Sequence, residues 1–376
     1  MAESKKWVVH VADIHVSEES GMGRIAWHWK QALEERGYEY THIGPEQVGP
    51  LPHGGLFPFA AHRAYQKLRR QKGYAPTFFL LHEAASGPFL NSQAPAAIFS
   101  HGLDRRSWEL AKKRGREDLN FKNRLLFPLW RLRPCDRGVK KGHSLLFSNT
   151  EDIDFAGQYY GRKPDDIMVF RNGVNPLALT EQEQPKTDEV TVCFLASWLE
   201  RKGIYTLIEA AKMLADQGIT ARWLLAGTGG DSEAIRNAWP ETLRSSVDVI
   251  PKFVRSEEID ILKRTNIFVL PSFFEGQPLS LLQAMEAGRC CITTNCCGQR
   301  DLIQHGENGF LYDPGDAPAL AKLMGDCIQD EMVRYRLGKQ AKASVSDRHW
   351  STVSHEVVDR LESHLAPYMV PHLALA

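Results

Sequence analysis

The stretch VTVCFLASWLERKGIYTLIEAAKMLADQG (190–218) decides the fold class. An apolar run, VTVCFLA (190–196), gives way to a helix on which Leu207, Ile208, Ala211, Leu214 and Ala215 lie at the spacing of one face, closed by Gly218. A strand followed by an amphipathic helix is the building unit of a parallel sheet. The series continues with WLLAG (223–227), VDVI (247–250), IFVLP (267–271) and CCITT (290–294). An earlier series precedes it: WVVHVA (7–12), a helix carrying Ile25, Trp29 and Leu33 up to Gly37, then FFLL (78–81), AAIFS (96–100) and LLFS (145–148). Between the two lies Asn172-Gly173, a pair that favours a turn with positive φ, followed by the polar stretch TEQEQPKTDE (180–189). The expectation is an α/β protein of two Rossmann-like, doubly wound parallel-sheet domains, 1–174 and 175–351, facing a central cleft. A last helix, from about Ser351 to Leu365, is expected to pack back on the first domain with the rest of 352–376.

Length and composition agree with two domains, since 376 residues with 43% apolar content can bury two cores. A disordered chain or a disulfide-stapled miniature is excluded. Lys and Arg balance Asp and Glu at 46 each, so the chain offers no basic field for nucleic acid. The balance hides an asymmetry: up to Val174 there are 26 basic and 19 acidic residues, and the reverse excess follows. Apolar runs fall short of the ~18 residues of a membrane span. The N-terminal run is broken by His10 and Asp13, too polar for a secretory leader, and seven cysteines, an odd number, suit a reducing compartment. The expected location is the cytoplasm.

The most specific stretch is PSFFEGQPLSLLQAMEAG (271–288). A strand ends at Pro271, Glu275 sits in the following loop, Gly276 lets backbone approach a ligand, and an apolar helix begins near Leu279. Free amides at a helix start attract an anion, so Glu275 fits a different partner, the hydroxyls of a sugar. A solvated loop glutamate before an ordinary core helix is the competing reading.

These residues resemble the retaining glycosyltransferases of family 4, which have the GT-B fold. Glu275, Gly276, Ala284, Met285 and Gly288 match their signature, and Gln283 stands where that family has a second glutamate. The resemblance implies that Glu275 contacts the donor sugar, that Gly276, Gln277, Pro278 and Leu279 line the donor site, and that Gln283 meets the nucleotide ribose through an amide. Arg201-Lys202-Gly203 looks like the family's RKG element, implying that these cations hold the donor diphosphate; the arginine usual nearer the strand end is replaced by Ala196-Ser197-Trp198. Gly21 and Gly23, in Gly21-Met22-Gly23-Arg24, stand where the family has a glycine loop beside the phosphates. His101, in FSHGLD (99–104), stands where a histidine lies against the donor sugar, and Phe253 and Val254 where the base is gripped. Asn172-Gly173-Val174, Gly227-Thr-Gly229-Gly230 and Cys297-Gly298-Gln-Arg-Asp301 follow in the same order, and Gly306-Glu-Asn-Gly309 reads as a hairpin-like turn.

What the resemblance implies is a metal-independent enzyme with His101, Glu275, Lys202 and Arg201 as its catalytic group. It would move a sugar from a nucleotide diphosphate sugar, its co-substrate, to a hydroxyl of a small-molecule, lipid or glycan acceptor, with no cofactor. A non-catalytic scaffold of the same fold, and a nucleotide-sugar epimerase, remain the alternatives. Asp152-Ile153-Asp154 spells a metal-binding DxD, yet sits at a helix start, where acidic residues are favoured without a metal. The pairs Cys290-Cys291 and Cys296-Cys297 lack zinc-knuckle spacing and read as core thiols. Between Arg105 and Lys141, thirteen basic and four acidic residues are interleaved with Phe121, Leu125, Leu126, Phe127, Leu129 and Trp130. Such a segment fits peripheral contact with the inner membrane face, a solvated basic surface, or a groove for an anionic acceptor.

Overall fold

The computed structural model describes residues 6–19, 21–114, 126–177 and 189–369. Most of the polar stretch 180–189, and Phe121 and Leu125 of the basic segment, lie outside the described residues. The chain divides into two compact units: Met1–Arg171 with Ser351–Ala376, and Asn172–Trp350.

The first unit is built on a parallel sheet of β1 (Trp7–Val11), β2 (Glu39–Ile43), β3 (Phe78–His82), β4 (Ala96–Ser100), β5 (Ser144–Phe147) and β6 (Ile167–Val169), ordered β2-β1-β3-β4-β5-β6. Trp7, Val9, Val11, Phe79, Leu81, Ile98, Leu145 and Phe147 form its core with Tyr65 and Phe89. Strands covered on both faces must be apolar throughout, and β1, β3, β4 and β5 are almost fully buried. From Ser351 onward, helix Trp350–Leu365 belongs to this unit, tied through Arg36 to Asp359 and Glu362 and through Tyr38 to Glu362.

The second unit holds β7 (Thr191–Leu195), β8 (Arg222–Ala226), β9 (Val247–Ile250), β10 (Ile267–Leu270), β11 (Cys290–Thr294) and β12 (Phe310–Tyr312), all parallel, ordered β12-β11-β10-β7-β8-β9. Numbered within the unit this is 3-2-1-4-5-6, the dinucleotide-binding order, with its reversal between β7 and β10. Helices cover both faces. Cys290 packs into one core cluster with Trp223 and Met324, and Cys291 into the other with Leu281 and Met285, as alternation along a strand requires.

Three strands were not legible from the apolar runs. β2, β6 and β12 are edge strands, short or half exposed, so no buried run marks them. Three local expectations are corrected. Gly21 and Gly23 lie in the first turn of helix Gly21–Glu35, not in a loop before it. Gly173 has no positive φ; it is required because a Cβ there would lie 2.5 Å from the Trp350 ring. Gly306–Gly309 is not a hairpin: His305 and Gly309 form a parallel bridge, and β12 runs parallel to β11.

Candidate functional site

In an open α/β sheet, ligands bind beyond the carboxyl ends of the strands where the strand order reverses, because neighbouring loops diverge there. In the second unit that point lies above β7 and β10. The loop after β7 ends in a 3-10 turn, Glu200–Lys202, and Gly203 then caps helix Ile204–Asp216 in the left-handed conformation, φ +76°. The loop after β10 carries Glu275 and enters helix Leu279–Glu286.

Contacts on both sides fix the β10 loop. The Phe273 amide donates to the Arg201 carbonyl at 2.9 Å. A Cβ at Gly203 would lie 1.9 Å from the Pro271 carbonyl oxygen, so only glycine lets the two loops approach so closely. On the far side, a Cβ at Gly298 would lie 1.8 Å from the Gly276 oxygen, while Thr294 Oγ1 donates to the Ser272 carbonyl at 2.6 Å. Cys297, just before it, holds φ +54°, a backbone region uncommon for a side chain of its kind. The loop is therefore pressed between the turn after β7 and the helix start after β11.

The result is an ion pair. Lys202 Nζ donates to Glu275 Oε1 at 2.5 Å, with only 14% and 10% of the two side chains exposed. Two helix N-termini, at Ile204 and Leu279, open beside it, and the first turn of a helix leaves amides with no partner in the helix itself. Positive potential thus gathers around one lysine whose present counter-charge is a single carboxylate.

The other sequence-derived residues fall as follows. Arg201 is exposed on the same turn as Lys202. Gly276 and Pro278 are buried in the β10 loop, and Leu279 is half buried at the helix start. Gln277 is taken up elsewhere: its Oε1 accepts from the Asn172 amide at 2.6 Å and from Arg348 at 3.1 Å, and its carbonyl accepts from Asn172 Nδ2. Its side chain is therefore a strut for the start of the unit, and only its backbone is left to line a donor site. Gln283 is 1% exposed, with neither Oε1 nor Nε2 hydrogen bonded. Phe253 lies half buried over Gly227, and Val254 is exposed with its amide held by Glu257.

In the first unit, Gly21 is exposed and Gly23 buried in the helix start. His101 follows β4, its ring stacked on Trp29 at 6.2 Å and edge-on to Phe99 and Phe170. Burial, with a smaller contribution from His82, lowers its pKa to about 3, so it is neutral at ordinary pH. Sequence reasoning overlooked Glu83, fully buried straight after β3; a carboxylate directly following the apolar run FFLLH was the available signal. Asp152 of the DxD sequence is buried against Arg106 Nε, Asn149 Nδ2 and the Leu103 amide. Of the basic segment, Leu126 and Leu129 are exposed, whereas Phe127 stacks on Trp108 and Trp130 packs on His53. Among the described residues no helix is long and apolar enough to cross a membrane.

Residues 178–344 match the family described as glycosyl transferases group 1. Over 312 residues the chain is 25% identical to the amylovoran biosynthesis glycosyltransferase AmsK of Erwinia amylovora, covering 77% of this chain and 72% of the relative. It spans about half the length of other curated relatives it matches, 43% and 46% in two of them. Among solved structures, sucrose-phosphate synthase of Thermosynechococcus elongatus aligns with a TM-score of 0.78 at 17% identity, covering 96% of this chain and 100% of that one. HepE of Anabaena, solved in complex with UDP and glucose, aligns with a TM-score of 0.64 at 15% identity, covering 95% and 99%. The chain thus has the two-sheet GT-B fold, and residues 178–344, which include Lys202 and Glu275, carry the match to the group 1 glycosyl transferases.

Proposed function

We propose that the protein is a glycosyltransferase of the retaining type that moves a sugar from a nucleotide diphosphate sugar to an acceptor hydroxyl without a metal ion. The observation that carries this reading is the Lys202–Glu275 pair at the sheet's reversal point, beside two helix N-termini. A diphosphate arriving there supplies the anion that Lys202 and the helix amides call for, and frees Glu275 to accept hydrogen bonds from sugar hydroxyls. The match to group 1 glycosyl transferases supports the reaction class, and the UDP and glucose bound in HepE support the ligand class.

When the bond from the anomeric carbon to the leaving oxygen breaks, negative charge collects on the β-phosphate. Fixed positive groups aimed at it lower the barrier: Lys202, Arg201 and the amides at the starts of helices Ile204–Asp216 and Leu279–Glu286. The leaving phosphate takes the acceptor's proton. Neutral His101 contributes a hydrogen-bonding ring rather than a charge. Gln283, with both polar ends unpartnered, is matched to a ribose diol, which both donates and accepts.

The test is a thermal-shift screen of UDP, GDP and ADP and their common sugars, followed by product analysis of the hit with and without chelator. A ligand that binds only the folded state raises the midpoint and so names the base. Transfer with an unchanged anomeric configuration, insensitive to chelator, is expected. Binding without turnover would favour a non-catalytic scaffold, and a product still linked to nucleotide would favour an epimerase. For the acceptor, the exposed Leu126 and Leu129 beside basic residues are the reason to try vesicles of anionic lipid.

A further inference from the structure

Glu83 opens a 3-10 turn, Glu83–Ala85, directly after β3, and is fully buried. Its Oε1 accepts two hydrogen bonds, from Ser100 Oγ at 2.9 Å and from the Asp104 amide at 3.0 Å. Ser100 is the last residue of β4 and Asp104 the first of helix Asp104–Lys113. One carboxyl oxygen therefore ties together both ends of the tripeptide His101-Gly102-Leu103.

Side chains also hold the interior of that turn. The Gly102 amide donates to Ser100 Oγ at 3.2 Å, and the Leu103 amide to Asp152 Oδ2 at 3.2 Å. Gly102 has φ +138°, which L side chains rarely adopt. The turn is thus closed by borrowed acceptors rather than by its own backbone, and its one ring is that of His101.

Charge is arranged to allow this. Arg131 Nε donates to Asp104 Oδ2 at 2.6 Å, and Cys135 Sγ lies 3.4 Å from the same oxygen. One guanidinium faces two carboxyl groups and pairs with Asp104. Burial, and then the Asp104 charge, raise the Glu83 pKa well above the usual carboxylate value, which favours its neutral form. Ser100 Oγ accepts from Gly102 and so donates its own proton to Glu83. Glu83, Asp104 and Cys135 stand close enough to suggest a metal, but Arg131 already supplies the cation.

We propose that Glu83 is a positioning residue: by holding both ends of the 100–104 turn it fixes where the His101 imidazole points. This rests on the reading of His101 as a contact of the donor sugar. A misplacement of ~1 Å in such a group costs ~100-fold in rate, so an unclamped turn is expected to lower kcat ~10- to 100-fold while donor KM stays within ~3-fold.

The experiment uses the full chain labelled on histidine, with the His101 ring signals assigned by comparison with His101→Gln. Glu83→Ala is expected to shift or split those signals, to raise the His101 titration from about 3 toward the ordinary imidazole value, and to lower kcat with the nucleotide sugar that gives the largest thermal shift in the screen of UDP, GDP and ADP sugars. Glu83→Gln keeps an oxygen acceptor in place and should preserve all three. Ser100→Ala removes one of the two contacts, gives an intermediate shift, and replaces Glu83→Ala should that variant fail to fold. Unmoved His101 signals in Glu83→Ala or Ser100→Ala would overturn the proposal, as would Glu83→Gln behaving like alanine. Displaced signals with unchanged turnover would uphold the clamp and instead overturn the part of His101 in the reaction.

Discussion

If the proposed function holds, removing Glu275 should slow sugar transfer yet tighten the protein's grip on a free nucleoside diphosphate. In the unliganded protein Lys202 is paired with Glu275 at 2.5 Å, both side chains mostly buried. At an effective dielectric of ~20, unit charges ~4 Å apart attract by about 4 kcal/mol. Desolvation of the two groups offsets much of that, leaving ~1–2 kcal/mol that a diphosphate must overcome to take the lysine. Glu275→Ala removes this competition, so Kd for the diphosphate should fall ~5- to 30-fold. On the proposed function the same variant also loses the hydrogen bonds of Glu275 to the donor sugar, so turnover should drop at least ~100-fold. Lys202→Ala loses the cation itself and leaves a buried carboxylate unpaired. It should weaken diphosphate binding, lower turnover at least ~100-fold, and destabilise the fold by ~3–5 kcal/mol. Titration calorimetry with the diphosphate found in the screen measures the first effect and single-donor kinetics the second. If Glu275→Ala weakens the diphosphate as much as Lys202→Ala does, the two residues do not compete, and the arrangement argued here is wrong.

Gly203→Ala places a methyl 1.9 Å from the Pro271 oxygen at φ +76°, so denaturant unfolding should show a loss of at least ~2 kcal/mol and diphosphate binding should weaken with it; unchanged binding would detach Lys202 from that turn. Gln283→Met removes a buried amide without partners and nearly conserves volume. It should stabilise the unliganded chain by ~1–2 kcal/mol while weakening nucleotide binding, and a destabilised variant would mean that the amide is satisfied. Burial holds His82 and His101 at about 3, and His10 and His42 also below the ordinary imidazole value. The unfolded chain therefore binds more protons below pH ~6.5, so stability present above that pH is lost as pH falls toward 3. Urea midpoints measured between pH 7.5 and 4 should decline, and His82→Gln should flatten the decline; a flat wild-type profile would contradict the burial of these rings. Glu83 works in the opposite direction, its raised pKa costing stability as pH climbs above the usual carboxylate value, and Glu83→Gln should remove that slope.

The order of most elements was legible from the residues themselves. Runs such as VTVCFLA and AAIFS are apolar throughout because their strands are covered on both faces, and that signal is local. The Glu275 loop is bounded by Pro271, Gly276 and a helix start, whereas the Arg201-Lys202-Gly203 turn, which has only a glycine before its helix, stood out by its likeness to a family element. The edge strands β2, β6 and β12 escaped because each is short or half exposed and so carries no buried apolar run, whereas the edge strand β9 showed as VDVI. The turn-forming reputation of Asn172-Gly173 misled, because close approach of Trp350 rather than backbone twist is what requires glycine there.

Tertiary structure alone decided which strands are neighbours, and hence which loops meet. Lys202 and Glu275 are 73 positions apart and pair only because β7 lies beside β10 at the reversal of strand order. Glu83 reaches the His101 turn because β3 lies beside β4, and Gln277 is turned into a strut by Asn172, 105 positions away. Hydrophobic periodicity records whether a segment is covered, a property of the segment. The identity of what covers it, and therefore the charge and hydrogen bonds each polar group meets, belongs to pairs of distant segments and is settled only when the chain closes on itself.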